Sequence, residues 1–224
     1  MCNESEGKIL FPDLIAFRRS LIDWGQEHFR SFPWRLNRDP YRILVAEIML
    51  HRTRASQVVP VYKKFINRYP DVKSLASATK NELHEVLFPL GLRWRVNLIH
   101  EMASSLVERF GGRVPEGRED LLSLPGISDY ITGAVRCFAW NYPEPLADTN
   151  TVRIIGRLFG LRVSDSSRRN RHFRKLLAVL VDPDEAAAYN YALLDLANEV
   201  CTQKQLPKCS QCPVSVWCAY VAGA

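Results

Sequence analysis

The sequence predicts an almost all-α fold. Apolar residues recur at three-to-four spacing along most of the chain, and residues that start or stop helices bracket those stretches. No alternating strand pattern interrupts them, and no segment repeats another. With 224 residues the chain is long enough for one large domain or two small ones, and 47% hydrophobic against 24% charged residues fits a globular protein.

The elements follow in chain order. The opening "MCNESEGKILFPDL" is acidic and polar without an apolar core, unlike a secretory leader, and no apolar run approaches the roughly 18 residues of a membrane helix. An intracellular protein, cytoplasmic and independent of membranes, is expected. "DPYRILVAEIMLHRT" begins with a capping Asp39 and with Pro40 at the first helical position. "NELHEVLFPLGL" and "RVNLIHEMASSLVERFGG" are periodic, and the second stops at Gly111-Gly112. "REDLLSLPG" reads as a short helix stopped by Pro125-Gly126. "DTNTVRIIGRLFG", "RRNRHFRKLLAVLVD" and "DEAAAYNYALLDLANEVC" complete the helical set. "NYPEPLAD", residues 141–148, holds two prolines and is the candidate linker between helical lobes.

Net charge is +6 and the isoelectric point about 9.1. That permits nucleic-acid binding without establishing it. Of six cysteines, Cys2 and Cys137 are isolated, whereas Cys201, Cys209, Cys212 and Cys218 fall within 18 residues. In a cytosolic chain such a cluster indicates metal before disulfides. Four thiolates suit tetrahedral zinc or a cubane [4Fe-4S] cluster. Zinc ribbons usually pair two Cys-x2-Cys knuckles; this stretch has one, which favours iron–sulfur over zinc. Lys204 and Lys208 flank the cysteines, either to meet phosphate or simply as solvated charges.

"LPGISDYITGAV", residues 124–135, reads as helix, tight turn, helix. Gly126 permits a backbone conformation unfavourable for other residues, and the amides around Ile127 and Ser128 would face outward at a helix N-terminus, a seat for phosphate. A plain helix–helix connection would look similar. Asp148 has two readings, a helix N-cap or a catalytic carboxylate. Glu47 lies among Ile43, Leu44, Val45, Ala46, Ile48, Met49 and Leu50. It either pairs with His51 or Arg52 on an exposed edge or sits in a dry pocket as an acid or hydrogen-bond partner.

Together, "FPWR…DPYRILVAEIML", the hairpin, "PLADTNTVRIIGRLFG", "ALLDLANEVC" and the terminal cysteines resemble the helix-hairpin-helix DNA glycosylases that carry an iron–sulfur cluster. The resemblance runs from about Phe32 to Cys218. It implies a six-helix barrel lobe bearing the hairpin over residues 31–141. An iron–sulfur lobe would join residues 1–30 to 142–224, with DNA across the groove between the lobes and one nucleotide flipped out. It implies that Asp148 is the catalytic aspartate, Glu47 the pocket glutamate, His51 with Arg52 the residues filling the gap left by the flipped base, and Leu92 the wedge in the opposite strand. Trp34 either lines the pocket or is plain core.

At Tyr130 the endonuclease III branch has a lysine whose amine forms a Schiff base, the adenine branch commonly a serine, and the thymine/guanine branch a tyrosine. The resemblance therefore implies a monomeric, monofunctional glycosylase. It would remove thymine or uracil opposite guanine in duplex DNA by hydrolysis. An adenine or hypoxanthine glycosylase, or a non-enzymatic iron–sulfur DNA-binding protein, are the alternatives. Adenine glycosylases usually add a further C-terminal domain, and this chain stops six residues past Cys218. Three positions depart from the pattern. The first cysteine gap is seven residues instead of six, Ser128 stands where a second glycine is usual, and His51-Arg52 replaces a glutamine pair.

Overall fold

The computed structural model describes residues 13–91 and 95–223. Among them every regular element is helical: α1 (Leu14–Glu27), α2 (Pro40–Leu50), α3 (Ala55–Arg68), α4 (Val72–Ala76), α5 (Lys80–Leu87), α6 (Val96–Phe110), α7 (Arg118–Leu122), α8 (Asp129–Trp140), α9 (Thr149–Leu158), α10 (Arg171–Leu180), α11 (Ala186–Glu199) and α12 (Ala219–Ala222). The expected all-α class holds. Two compact units form, one spanning Arg30–Glu144 and the other joining α1 to the chain from Pro145 onward. No described helix is long and apolar enough to cross a membrane.

In the Arg30–Glu144 unit α2 is the central element. The Asp39 carboxylate accepts from the amides of Tyr41 and Arg42, and Pro40 occupies the first turn, where its missing N–H removes nothing. Almost the whole helix is buried, from Tyr41 through Met49, because α8 and α3 pack on it. A reading by stop signals misses α3, where Pro60 sits inside the helix. Burial of Val58, Val61, Tyr62, Phe65 and Ile66 on one face outweighs the backbone hydrogen bond that Pro60 cannot donate. The five-residue α4 is too short for a periodic signal and rests on a reciprocal cap between Asp71 and Ser74.

The other unit is held by α1 against α11. Gly25 lets the helices approach so closely that a Cβ there would lie 2.4 Å from the Cβ of Ala192. Phe17 packs edge-on against Tyr189 and Trp217, tying α1 to α11 and to the cysteine-bearing tail. The Arg18 guanidinium donates to the carbonyls of Val179, Leu180 and Val181, satisfying the exposed acceptors at the end of α10. The helix expected from Arg168 starts later, at Arg171, because Asn170 caps it through the amide of Phe173; a 3-10 turn over Asp165–Arg169 precedes it.

Gly25→Ala tests the α1–α11 contact. Alanine favours a helix over glycine by about 1 kcal/mol, but overpacking a close contact costs about 1–3 kcal/mol. The variant should therefore show a net loss of up to about 2 kcal/mol in urea unfolding. A more stable variant would show that the helices separate freely.

Candidate active site and cysteine loop

Asp148 is the N-cap of α9, and both carboxylate oxygens are engaged. Oδ1 accepts from the Thr151 amide at 2.7 Å, and Oδ2 accepts from the Asn150 side-chain amide at 2.9 Å. The capping reading is thus correct, and it does not compete with the catalytic one. A helix N-terminus and two donors fix the carboxylate in orientation. Asn150 in turn accepts from Arg153 at 3.2 Å, and Arg153 donates to the carbonyls of Cys201 at 3.0 Å and Ala197 at 2.9 Å. Burial pulls the Arg153 guanidinium below the usual arginine range, as expected for a cation desolvated among carbonyls. One turn on, Arg157 donates to the Cys201 sulfur at 3.3 Å and to the Thr202 carbonyl at 2.9 Å. Sequence reasoning missed Asn150, Arg153 and Arg157. Only the Asn150–Arg153 contact, three residues apart on one helix face, had a local signal.

Cys201, Cys209, Cys212 and Cys218, all half-buried, line a single cavity closed by Leu158, Leu196 and Val214. Among the described residues no three His, Cys, Asp or Glu side chains converge as a ligand set for one metal ion. A mononuclear zinc site needs sulfurs about 2.3 Å from one point. A cubane spreads four thiolates over four irons, so four cysteines around a shared cavity are the donor set it requires. The Arg157 guanidinium at the Cys201 sulfur fixes where that side chain stands on the cavity wall. The seven-residue gap closes on itself: the Lys208 amide donates to the Val200 carbonyl, and Thr202 bonds Gln205 within the loop. Lys204 and Lys208 are exposed. Cys137 is buried in α8, and Cys2 lies outside the described residues.

The hairpin joins α7 to α8 through Leu124-Pro125-Gly126-Ile127. Gly126 has φ +76, and the Ile127 amide donates to the Leu124 carbonyl, as in a type II turn with proline second and glycine third. The expectation of an outward Ile127 amide is corrected: that N–H closes the turn, and the Ile127 side chain is buried. Ser128 does not disturb the turn. Its φ of -91 is ordinary for any residue, so no glycine is needed, and its hydroxyl caps α8 by accepting from the Ile131 amide. Ser128 is therefore the N-cap at which the N-terminus of α8 begins. Arg118 braces this turn by pairing with both Asp129 and Glu144, and Arg136 also binds Glu144 at 2.6 Å.

Tyr130 stands half-buried in the first turn of α8. Glu47 is only 8% exposed, so the alternative that placed it on an exposed edge is overturned. His51 and Arg52 are exposed at the end of α2, where Arg52 adopts a left-handed backbone with φ +61. His51 Nδ1 meets the buried Arg95, which also donates to the Ile48 carbonyl. Trp34 is a core residue, stacked on Phe32 and edge-on to Tyr62. Leu92 lies outside the described residues.

A capped aspartate, a glycine-turned helix hairpin and a four-cysteine tail on an all-helical chain define a class, and the model of the HhH-GPD superfamily of base excision DNA repair proteins matches residues 45–179. The chain belongs to that family. It is 40% identical over 223 residues to the thymine-DNA glycosylase of Aeropyrum pernix, covering 95% of this chain and 98% of that protein. It is 39% identical to the thymine/uracil-DNA glycosylase of Pyrobaculum aerophilum, covering 91% and 90%. Its structure superposes on that of a thermostable thymine-DNA glycosylase with a TM-score of 0.88 at 31% identity, over 95% of this chain and 98% of that one.

Gly126→Ala forces a left-handed alanine whose Cβ would lie 3.1 Å from that of Leu98. A loss of about 1–2 kcal/mol should appear in chemical unfolding. Ser128→Gly, which supplies the glycine expected there, should shift stability by only a few tenths of a kcal/mol. A substantial gain from Ser128→Gly would contradict the capping role.

Proposed function

We propose that the chain is a monofunctional DNA glycosylase acting in base excision repair. It flips thymine or uracil opposite guanine out of the duplex and hydrolyses the glycosidic bond, leaving an abasic site. The observation that carries this reading is the fixed Asp148 carboxylate combined with a phenol in place of an amine at residue 130. The names of the relatives at about 40% identity support the choice of base.

As the bond from base to sugar breaks, positive charge develops on the sugar, and Asp148 is pre-set to stabilise it. The same carboxylate orients water and takes its proton as the hydroxyl joins the sugar carbon. Its two donors oppose rotation away from that task. Glu47, buried on α2, serves the flipped base as hydrogen-bond partner. Tyr130 offers a phenol and no amine, so no Schiff base forms and the strand stays whole. The amides from Ser128 into α8, with Lys204 and Lys208, take phosphate, while His51, Arg52 and Leu92 attend the vacated position and the opposite strand. Cys201, Cys209, Cys212 and Cys218 are assigned to a [4Fe-4S] cluster, which when bound ties the C-terminal loop to α9 and α11.

Duplexes with single mismatches, treated with protein and then hot alkali, should break at T·G and U·G and not at A·G or hypoxanthine pairs. Intact T·G and U·G strands would sink the assignment. Asp148→Asn should lower single-turnover excision by about 100-fold or more while leaving duplex affinity within a few-fold. Borohydride should trap no covalent adduct with the parent protein, and Tyr130→Lys should create one. The purified protein should be brown, with iron and sulfide in equal amounts; a colourless protein carrying stoichiometric zinc would overturn the cluster assignment.

A further inference from the structure

Residues 162–175, which lead from α9 into α10, carry six of the chain's cations, Arg162, Arg168, Arg169, Arg171, Arg174 and Lys175, against one carboxylate, Asp165. That excess is close to the net charge of the entire protein, +6. Asp165 is already paired with Arg168. Among the described residues Arg162, Arg169, Arg171 and Lys175 have no ion-pair partner, and all four are exposed.

Packing does not explain the cluster. The core face of α10 is Phe173, Leu176, Leu177 and Leu180. Arg171 and Lys175 stand one turn apart on the side away from it. Helix electrostatics oppose the arrangement, since the N-terminal end of a helix favours negative charge and the first turn of α10 has none. The cations therefore repel one another and the helix end until an external polyanion neutralises them. Arg171 and Lys175 are about 6 Å apart along the axis, near the roughly 7 Å that two nucleotides advance along one strand of a duplex. No acidic face on the described residues of this segment would suit a partner of mixed charge.

We propose that the segment 162–175 is a second DNA-backbone contact. It is separate from the residues assigned to base removal and hairpin binding, and holds undamaged duplex without regard to sequence. The proposal deepens the glycosylase reading: an enzyme that must find rare mismatches gains from a grip that phosphate alone supplies.

The test uses the full chain with Arg169→Ala, Arg171→Ala and Lys175→Ala together. These positions are exposed, so the thermal unfolding midpoint should stay near that of the parent. Affinity for an undamaged duplex, followed across salt concentrations, should weaken about tenfold or more at low salt. The slope of log K against log salt should fall by about 2–3, one unit for each lost phosphate contact. Excision from a T·G duplex at saturating protein should keep its single-turnover rate. A control with Lys63→Ala, Lys64→Ala and Lys80→Ala removes equal charge from other exposed positions and should change the slope less. Parent-like affinity and slope in the first variant, or equal losses in both, would overturn the proposal, and the first result would leave the patch to an acidic protein. If the parent excised nothing while the first variant still lost its salt slope, the glycosylase reading would fail and the DNA contact would stand.

Discussion

The Arg153 guanidinium is the interaction on which the Pro145-onward unit depends. It stands desolvated at the middle of α9, with the Asn150 side chain on one side and the carbonyls of Cys201 and Ala197 on the other. Without it each partner, part-buried, would lose a charged donor. Through Asn150 the same side chain reaches Asp148. Orientation of the Asp148 carboxylate and position of Cys201 are thus set by one helix and one cation. Arg157 repeats the arrangement one turn later by binding the Cys201 sulfur.

The Arg30–Glu144 unit solves a different problem. Its central helix is apolar nearly all round, and burying Glu47 within it is unfavourable for a charged carboxylate unless a partner meets it. Ordinary helix packing would have chosen leucine. The hairpin places its demands on the backbone instead: a left-handed Gly126, a serine cap, and a brace of Arg118 and Arg136 converging on Glu144. This brace fixes where α8 begins, and so where Tyr130 stands.

Much of this was legible in sequence, for local reasons. Asp39-Pro40, Pro125-Gly126 and Asp148 act on their immediate neighbours, so their effects can be read without the fold. The α3 helix was not legible, because Pro60 signals a stop that only tertiary burial of Phe65 and its neighbours overrides. The Ile127 amide was misplaced because the turn type decides its partner, and the turn type follows from Gly126 and Leu124 jointly. Sequence gives no role to Arg153 or Arg157. Their partners are carbonyls and a sulfur some 44 to 48 residues away, which no local pattern encodes.

The contact of Gly25 with Ala192 has a consequence for biosynthesis. The Arg30–Glu144 unit is contiguous, so all of its partners are present once residue 144 has left the ribosome. Helix α1, made before that unit, must wait for α11 before its glycine face finds a surface. During that interval Phe17, Leu21 and Ile22 have no permanent cover. Helix α1 is therefore covered only after the whole Arg30–Glu144 unit has been made, and until then its apolar face is open to aggregation or to chaperone capture.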